Sequence, residues 1–252
     1  MEALKIEDLS KNFGGLKAVD RLSFQVTVGE RLGIIGPNGA GKTTLFNLLN
    51  GQLFPTGGRI SLFEKEITNF PPNRRAHLGI SRSFQISRLF YRLTVLENCQ
   101  LALMGVQPIR YQMFRSTNHY HHLLEKAQEL LAPVALWEMR NESVKNMSYG
   151  DQRRLEIVLS LASKPRVLLM DEPTAGLTSA EGAKIIEMMG KLGKDISVLI
   201  IAHDMDLVFG VAERILVLHY GKIITEGKPE EMKKDPKVKE IYMGLGEHPG
   251  DA

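Results

Sequence analysis

Apolar residues recur along this chain with two different periods. Continuous short runs, Leu32-Gly33-Ile34-Ile35, Val167-Leu168-Leu169-Met170 and Ser197-Val198-Leu199-Ile200-Ile201, read as strands buried on both faces, with a further run at Ile215. Helical spacing over 180–192 and 205–212 separates the later runs, so strand and helix alternate as in a doubly wound parallel core. Nearer the start, 4–9, 22–28 and 59–63 read as strands of a small antiparallel region around the strand at 32–35. From about 89 to 162 the pattern turns helical, with Thr94 as the cap of 95–104, 120–131 as the clearest amphipathic helix, and another over 155–163. Tyr220-Gly221-Lys222 marks a hairpin turn, and Pro229 and Pro236 open two closing helices. No internal repeat, linker or low-complexity tract divides the chain. The expectation is a single α/β domain over 1–252, with a helical subdomain at about 89–162 and C-terminal helices at about 229–244.

Chemistry enters at the first junction of strand and helix. Gly36-Pro37-Asn38-Gly39-Ala40-Gly41-Lys42-Thr43 fits the phosphate-loop pattern GxxxxGK[ST] at every fixed position, between the run at 32–35 and the helical pattern that begins at Thr44. The glycines let the backbone curl until successive N–H groups point at phosphate oxygens, and the helix N-terminus adds its own unpaired donors. Lys42 is placed to reach the β- and γ-phosphates and the Thr43 hydroxyl to ligate Mg²⁺. The strand ending in Asp171-Glu172 delivers two acids to the carboxyl edge of the same sheet. Asp171 would hold the Mg²⁺ shell, and Glu172 would polarise the water that attacks the γ-phosphate.

Upstream of that acidic strand lies Met147-Ser148-Tyr149-Gly150-Asp151-Gln152-Arg153-Arg154, a serine–glycine turn leading into a helix. With it the chain resembles the ATP-binding subunits of ABC transporters, whose signature, usually Leu-Ser-Gly-Gly-Gln, precedes the acidic strand by about this interval. The resemblance covers essentially the whole chain. It implies a P-loop NTPase of ABC type: a parallel-sheet, RecA-like core with an antiparallel β subdomain and a helical subdomain. Phe13 matches the aromatic that stacks on adenine, a reading favoured over the alternative that it is simply a core aromatic. Gln85, in Ser83-Phe84-Gln85, matches the glutamine that touches Mg²⁺ and the attacking water, residues 173–178 match the D-loop, and His203 matches the histidine that contacts the γ-phosphate. Ser148, Tyr149, Gly150, Asp151 and Thr178 are implied to face ATP held by a partner ATPase subunit, identical or different.

The departures are informative. Tyr149 stands where glycine is commoner, Asp151 where glutamine is usual, and Thr178 where an aspartate or asparagine is usual. An acid beside a phosphate is unfavourable unless Arg153 or Arg154 compensates it. Ser-Tyr-Gly-x-Gln-Arg-Arg-Leu-Glu-Ile, Phe13-Gly14-Gly15-Leu16-Lys17-Ala18-Val19 and the tail Glu226-Gly227-Lys228-Pro229-Glu230-Glu231 are most similar to the ATPases of branched-chain amino-acid importers. Branches that handle urea, short amides or lipopolysaccharide share much of the pattern. Soluble ABC ATPases acting on ribosomes or DNA usually carry paired ATPase domains or a long coiled coil, neither of which is seen here.

Composition fits such a subunit. The 252 residues are 43% apolar, enough for a substantial core, and a net charge of +3 with dispersed basic residues points to no nucleic-acid partner. Cys99 is the single cysteine, so neither an intrachain disulfide nor a thiolate zinc site is expected. His119, His121 and His122 lack a ligand spacing and read as a polar insertion rather than a zinc site. No stretch approaches the ~18 apolar residues of a membrane span, and charges at 1–8 stand where a secretory signal would be apolar. The resemblance therefore implies ATP and Mg²⁺ as cofactors and a peripheral location at the cytoplasmic face of the inner membrane. It also implies polytopic permease subunits as partners and, indirectly, an extracytoplasmic solute-binding protein. The segment Leu89-Phe90, following Gln85, would offer apolar anchors to a short cytoplasmic helix of the permease unless it packs inside the helical lobe.

Overall fold

The computed structural model describes residues 1–83, 89–105, 121–202 and 205–243. In chain order its strands are β1 (Glu2–Phe13), β2 (Leu16–Thr27), β3 (Arg31–Ile35), β4 (Gly57–Leu62), β5 (Lys65–Glu66), β6 (Ile80–Ser83), β7 (Val167–Asp171), β8 (Ser197–Ile201), β9 (Arg214–His219) and β10 (Lys222–Gly227). The helices are α1 (Lys42–Asn50), α2 (Pro72–His77), α3 (Val95–Gly105), α4 (His121–Leu131), α5 (Tyr149–Leu161), α6 (Ser179–Gly190), α7 (Met205–Val211), α8 (Pro229–Met232) and α9 (Pro236–Met243). Six strands form the central sheet in the order β10-β9-β3-β8-β7-β6, parallel throughout except for the β9–β10 hairpin. The antiparallel sheet runs β2-β1-β4-β5.

Side-chain alternation in the central strands divides the interior in two. Val167 and Leu169 of β7 face a core shared with the antiparallel sheet and with Leu45, Phe46 and Leu49 of α1. Leu168 and Met170 face the other core, built with α5, α6 and α7. Strands buried on both faces need apolar side chains at every position, which is why these runs lack the polar alternation of a one-sided sheet. Each fully buried Leu or Phe contributes about 1.5–3 kcal/mol relative to exposure.

The antiparallel strands run longer than the sequence pattern indicates. β1 and β2 extend to the turn at Gly14-Gly15, pairing Phe13 with Leu16. α5 begins at Tyr149 rather than 155, because the Ser148 hydroxyl accepts the Asp151 N–H at 3.1 Å and caps the first turn. Thr94 caps α3 as expected, in a reciprocal pair with Glu97 at 3.1 and 2.7 Å. β5, α2 and β6 have no counterpart in the hydrophobic pattern. α2 supplies Arg75, which is fully buried and holds the carboxyl end of α1: its Nη1 donates to Leu48 O at 2.6 Å and Leu49 O at 2.8 Å. Nε and Nη2 of the same guanidinium bond Phe70 O at 2.9 Å and Thr68 O at 2.8 Å.

Candidate functional site: a nucleotide cleft at the carboxyl edge of the sheet

β3 leads into the phosphate loop at the carboxyl edge of the parallel strands, where open α/β sheets place their ligands. Gly41, the N-cap of α1, has φ +101°, and a Cβ there would collide with the carbonyl oxygen of Ala18. At Gly36 a Cβ would meet Leu218 O. The loop is held from behind by the β9–β10 turn, where Gly221 N–H donates to Ala40 O at 3.0 Å and Asp20 N–H to Gly221 O at 2.9 Å.

The result is a cleft of about 510 Å³ lined by Asn38 to Thr44, Phe13 and Glu172, among others. Phe13 is 47% exposed at its mouth, so core packing is not what places an aromatic there. Tyr220, from the β9–β10 turn, lines the same cleft and is also exposed, although only a turn was legible at that position in the sequence. Lys42 is buried and curls onto its own loop, donating to Gly36 O at 2.6 Å and Pro37 O at 2.9 Å. Burial lowers the pKa of its ammonium, against the pull of the Glu172 and Asp171 carboxylates, which favour the charged form. These groups therefore converge on one place, with a cation beside two anions.

Asp171 ends β7 and is fully buried. Its Oδ2 accepts Arg82 Nη2 at 2.7 Å, while Oδ1 is buried without a hydrogen-bond partner. A carboxylate oxygen left bare in the interior is the donor expected of a hard cation site, and with the hydroxyl of Thr43, the residue after Lys42, it fits Mg²⁺. Glu172 follows in the left-handed region at φ +47°, a conformation costing about 1–3 kcal/mol for a residue with a side chain. Its N–H donates to Ile201 O at 2.7 Å. Arg153 of α5 fastens the same turn by donating to the carbonyls of Asp171, Glu172 and Pro173 at 3.2, 2.8 and 3.2 Å. The backbone of the proposed base is thus over-determined from two sides.

Ser148 to Asp151 and Thr178 do not line this cleft. They form a second group, in which Ser148, Tyr149 and Thr178 are exposed and Gly150 is buried. The Asp151 carboxylate pairs with Arg154, whereas Arg153 is spent on the β7 turn. Burial alone would raise the Asp151 pKa, but bonds from Arg154 and Ser148 and the charges of Arg154 and Lys184 together hold it below the usual range. The Thr178 N–H donates to Glu181 Oε2 at 3.0 Å and its hydroxyl accepts the Glu181 N–H at 3.4 Å, a capping box on α6. Glu181 also lies against Gly150, where a Cβ would meet its carboxylate, so it joins the serine–glycine turn to the D-loop segment. The spacing Thr-x-x-Glu at 178–181 carried that signal in the sequence. Gln85 and His203 lie outside the described residues, as does His119.

A separate groove of about 370 Å³ opens between β6 and the helical lobe, lined by Gln52, Arg82, Leu89, Ala102, Glu156 and Leu159 among others. Leu89 is buried in the core on the helical side, whereas Phe90 is 60% exposed. Asn98 holds that segment, accepting Phe90 N–H at 2.9 Å and donating to Phe90 O at 3.1 Å. No helix among the described residues is long and apolar enough to cross a membrane.

Comparison with known proteins agrees with this geometry. Residues 19–175 match the family model described as ABC transporter, and residues 222–248 match that of the branched-chain amino acid ATP-binding cassette transporter. The chain is 38% identical over 250 residues to the high-affinity branched-chain amino acid transport ATP-binding protein LivG of Salmonella typhimurium, covering 96% of this chain and 97% of that protein. Among solved structures, a nucleotide-free ATP-binding cassette from an ABC transporter superposes with a TM-score of 0.84 at 34% identity, over 98% of this chain and 100% of that one. A dimeric, post-hydrolysis ATP-binding cassette bound to ADP and Pi superposes with a TM-score of 0.74 at 28% identity, over 90% and 98% of the two chains. With the phosphate loop, the acidic strand end and the serine–glycine helix cap all in place on this fold, the chain belongs to the ABC transporter family.

Proposed function

We propose that this chain is the ATP-hydrolysing subunit of an importer for branched-chain or related apolar amino acids, attached to the cytoplasmic face of the membrane through permease subunits. The observation that carries the solute is the C-terminal match at 222–248. Phe13 stacks on the adenine, Gly36 to Thr44 wrap the phosphates, and Lys42 exchanges its two loop carbonyls for β- and γ-phosphate oxygens. Thr43 and Asp171, with Gln85, would hold Mg²⁺, which when bound neutralises charge developing on the phosphates. Glu172 orients and deprotonates the attacking water, and His203 contacts the γ-phosphate. Ser148, Tyr149, Gly150 and Asp151, being absent from this cleft, would close over ATP held by a second ATPase subunit, with Thr178 at the same interface. The groove beside β6, with exposed Phe90 at its flank, supports docking of a short permease helix.

Replacing Glu172 with Gln tests the assignment. ATP affinity should stay at the wild-type value while hydrolysis slows by roughly 10²–10⁴-fold, about 3–5 kcal/mol of barrier. The variant should accumulate as an ATP-bound dimer on size-exclusion chromatography. Unchanged turnover would remove Glu172 from the chemistry. Uptake of labelled leucine against labelled urea in the reconstituted complex tests the solute: preference for urea would overturn that half of the reading.

A further inference from the structure

Arg82 has no part in the chemistry described above, yet it is among the most constrained charges in the molecule. Its side chain is 8% exposed and that of its partner Asp171 is 1% exposed. In the parallel register of β6 and β7, Arg82 lies beside Leu169, so Asp171 is the next residue on the same face. That face is the one packed against α1. Both terminal nitrogens of the guanidinium are engaged, while its Nε is buried without a partner: Nη2 donates to Asp171 Oδ2 at 2.7 Å, and Nη1 to Asn47 Oδ1 at 2.6 Å and Gln52 Oε1 at 3.2 Å. Asn47 lies one helical turn beyond Thr43 on α1. One planar cation therefore spans the helix that bears Thr43 and the strand that bears Asp171.

We propose that Arg82 is the positioning residue of the cation site, an assignment that rests on Asp171 and Thr43 being the Mg²⁺ ligands. By occupying Oδ2 it fixes the rotation of the carboxylate and leaves Oδ1, the oxygen with no partner, as the one presented to the cation. By bonding Asn47 it sets the separation between α1 and the end of β7. Outer-shell partners of metal ligands act in this way, and removing one typically weakens metal binding by about 10–100-fold. A lysine would not replace it, since a single ammonium on a flexible stem lacks the fork that reaches Asn47 and Asp171 together. Arg82 also lines the groove beside the helical lobe, so its contacts run from that surface to the cation site.

The test measures Mn²⁺ binding by electron paramagnetic resonance on the full chain with ADP, alongside ADP binding in EDTA. For Arg82→Gln, metal-free ADP affinity should stay within about twofold of wild type, while Mn²⁺ affinity falls by about 10–100-fold. Arg82→Lys should keep the wild-type thermal midpoint and recover little of the Mn²⁺ affinity. Asn47→Ala leaves the Arg82–Asp171 pair in place and should weaken Mn²⁺ binding in the same direction by a smaller factor, a readout that survives if Arg82→Gln fails to fold. Wild-type Mn²⁺ affinity in Arg82→Gln, or in both Arg82→Lys and Asn47→Ala, would reduce the pair to a structural one and overturn the proposal. Tighter Mn²⁺ binding would overturn it too, because Arg82 would then compete with the cation. Asp171→Asn separates the layers: if it retains Mn²⁺, the ligand assignment itself falls, whereas loss there with retention in Arg82→Gln removes only the role of Arg82.

Discussion

Phe13 and Lys42 line the same cleft and contribute by different physics. Phe13 offers an exposed ring at the mouth, with the Lys11 ammonium 5.2 Å from its centroid, and truncating it should cost ATP affinity only about 1–3 kcal/mol, as for the loss of one base-stacking platform. Lys42 is buried, and its loss removes the side-chain cation that the phosphate loop itself contributes to the cleft. Lys42→Ala should leave no measurable ATP affinity by calorimetric titration. The asymmetry is the check: if Phe13→Ala binds ATP as tightly as wild type, the ring is not an adenine platform. Tyr220, exposed in the same cleft, is the reason the residual binding of Phe13→Ala should not vanish.

Helix α1 carries both the phosphate-binding N-terminus and, nine residues on, an end that would otherwise be buried with bare carbonyls. Gly51, at φ +82°, and the Arg75 guanidinium close that end, the cation complementing the negative pole of the helix. Burial lowers the Arg75 pKa to about 10, which still leaves it protonated at pH 7. Arg75→Met should lower stability by about 2–3 kcal/mol by stranding those acceptors, with the loss unchanged between pH 6 and 8 because the guanidinium titrates above that window. Urea unfolding measures it, and a midpoint equal to wild type would mean that water replaces the cap. What could be read in advance follows the same logic of burial. β3, β7 and β8 were legible because strands covered on both faces must be continuously apolar, and the phosphate loop because its glycines answer to backbone geometry. β6 was not, being a four-residue edge strand whose functional residue is an arginine, and α2 was not, since what it buries is Arg75 rather than an apolar stripe. The length of α5 depended on a hydroxyl cap that precedes its apolar residues. Arg82 and Glu181 act through partners far away in sequence or through a cap, neither of which periodicity reports.

At the scale of the molecule, the two cores on either side of the central sheet separate the nucleotide side from the helical side, and the groove lies where they meet at β6. Leu89 belongs to the helical core, so a charge there would damage the fold and say nothing about docking. Phe90 is the residue to change. Phe90→Glu should leave the ATPase activity of the isolated subunit at the wild-type level, because it removes no described packing of the core, while recruitment to permease-containing proteoliposomes and solute-stimulated turnover both fall. Full coupling in Phe90→Glu would place the docking surface elsewhere. The strand order also governs when the machine can exist during synthesis. β3, which feeds the phosphate loop, is flanked by β8 and β9, and the loop is braced by Gly221, so the neighbours of an element finished by residue 35 emerge from the ribosome only after residue 196. A nascent chain carrying the complete phosphate-loop motif is therefore still without the sheet that shapes it. ATP becomes a ligand only once β8 and β9 have been made, and a ribosome that stalls before β9 leaves a motif with no grip.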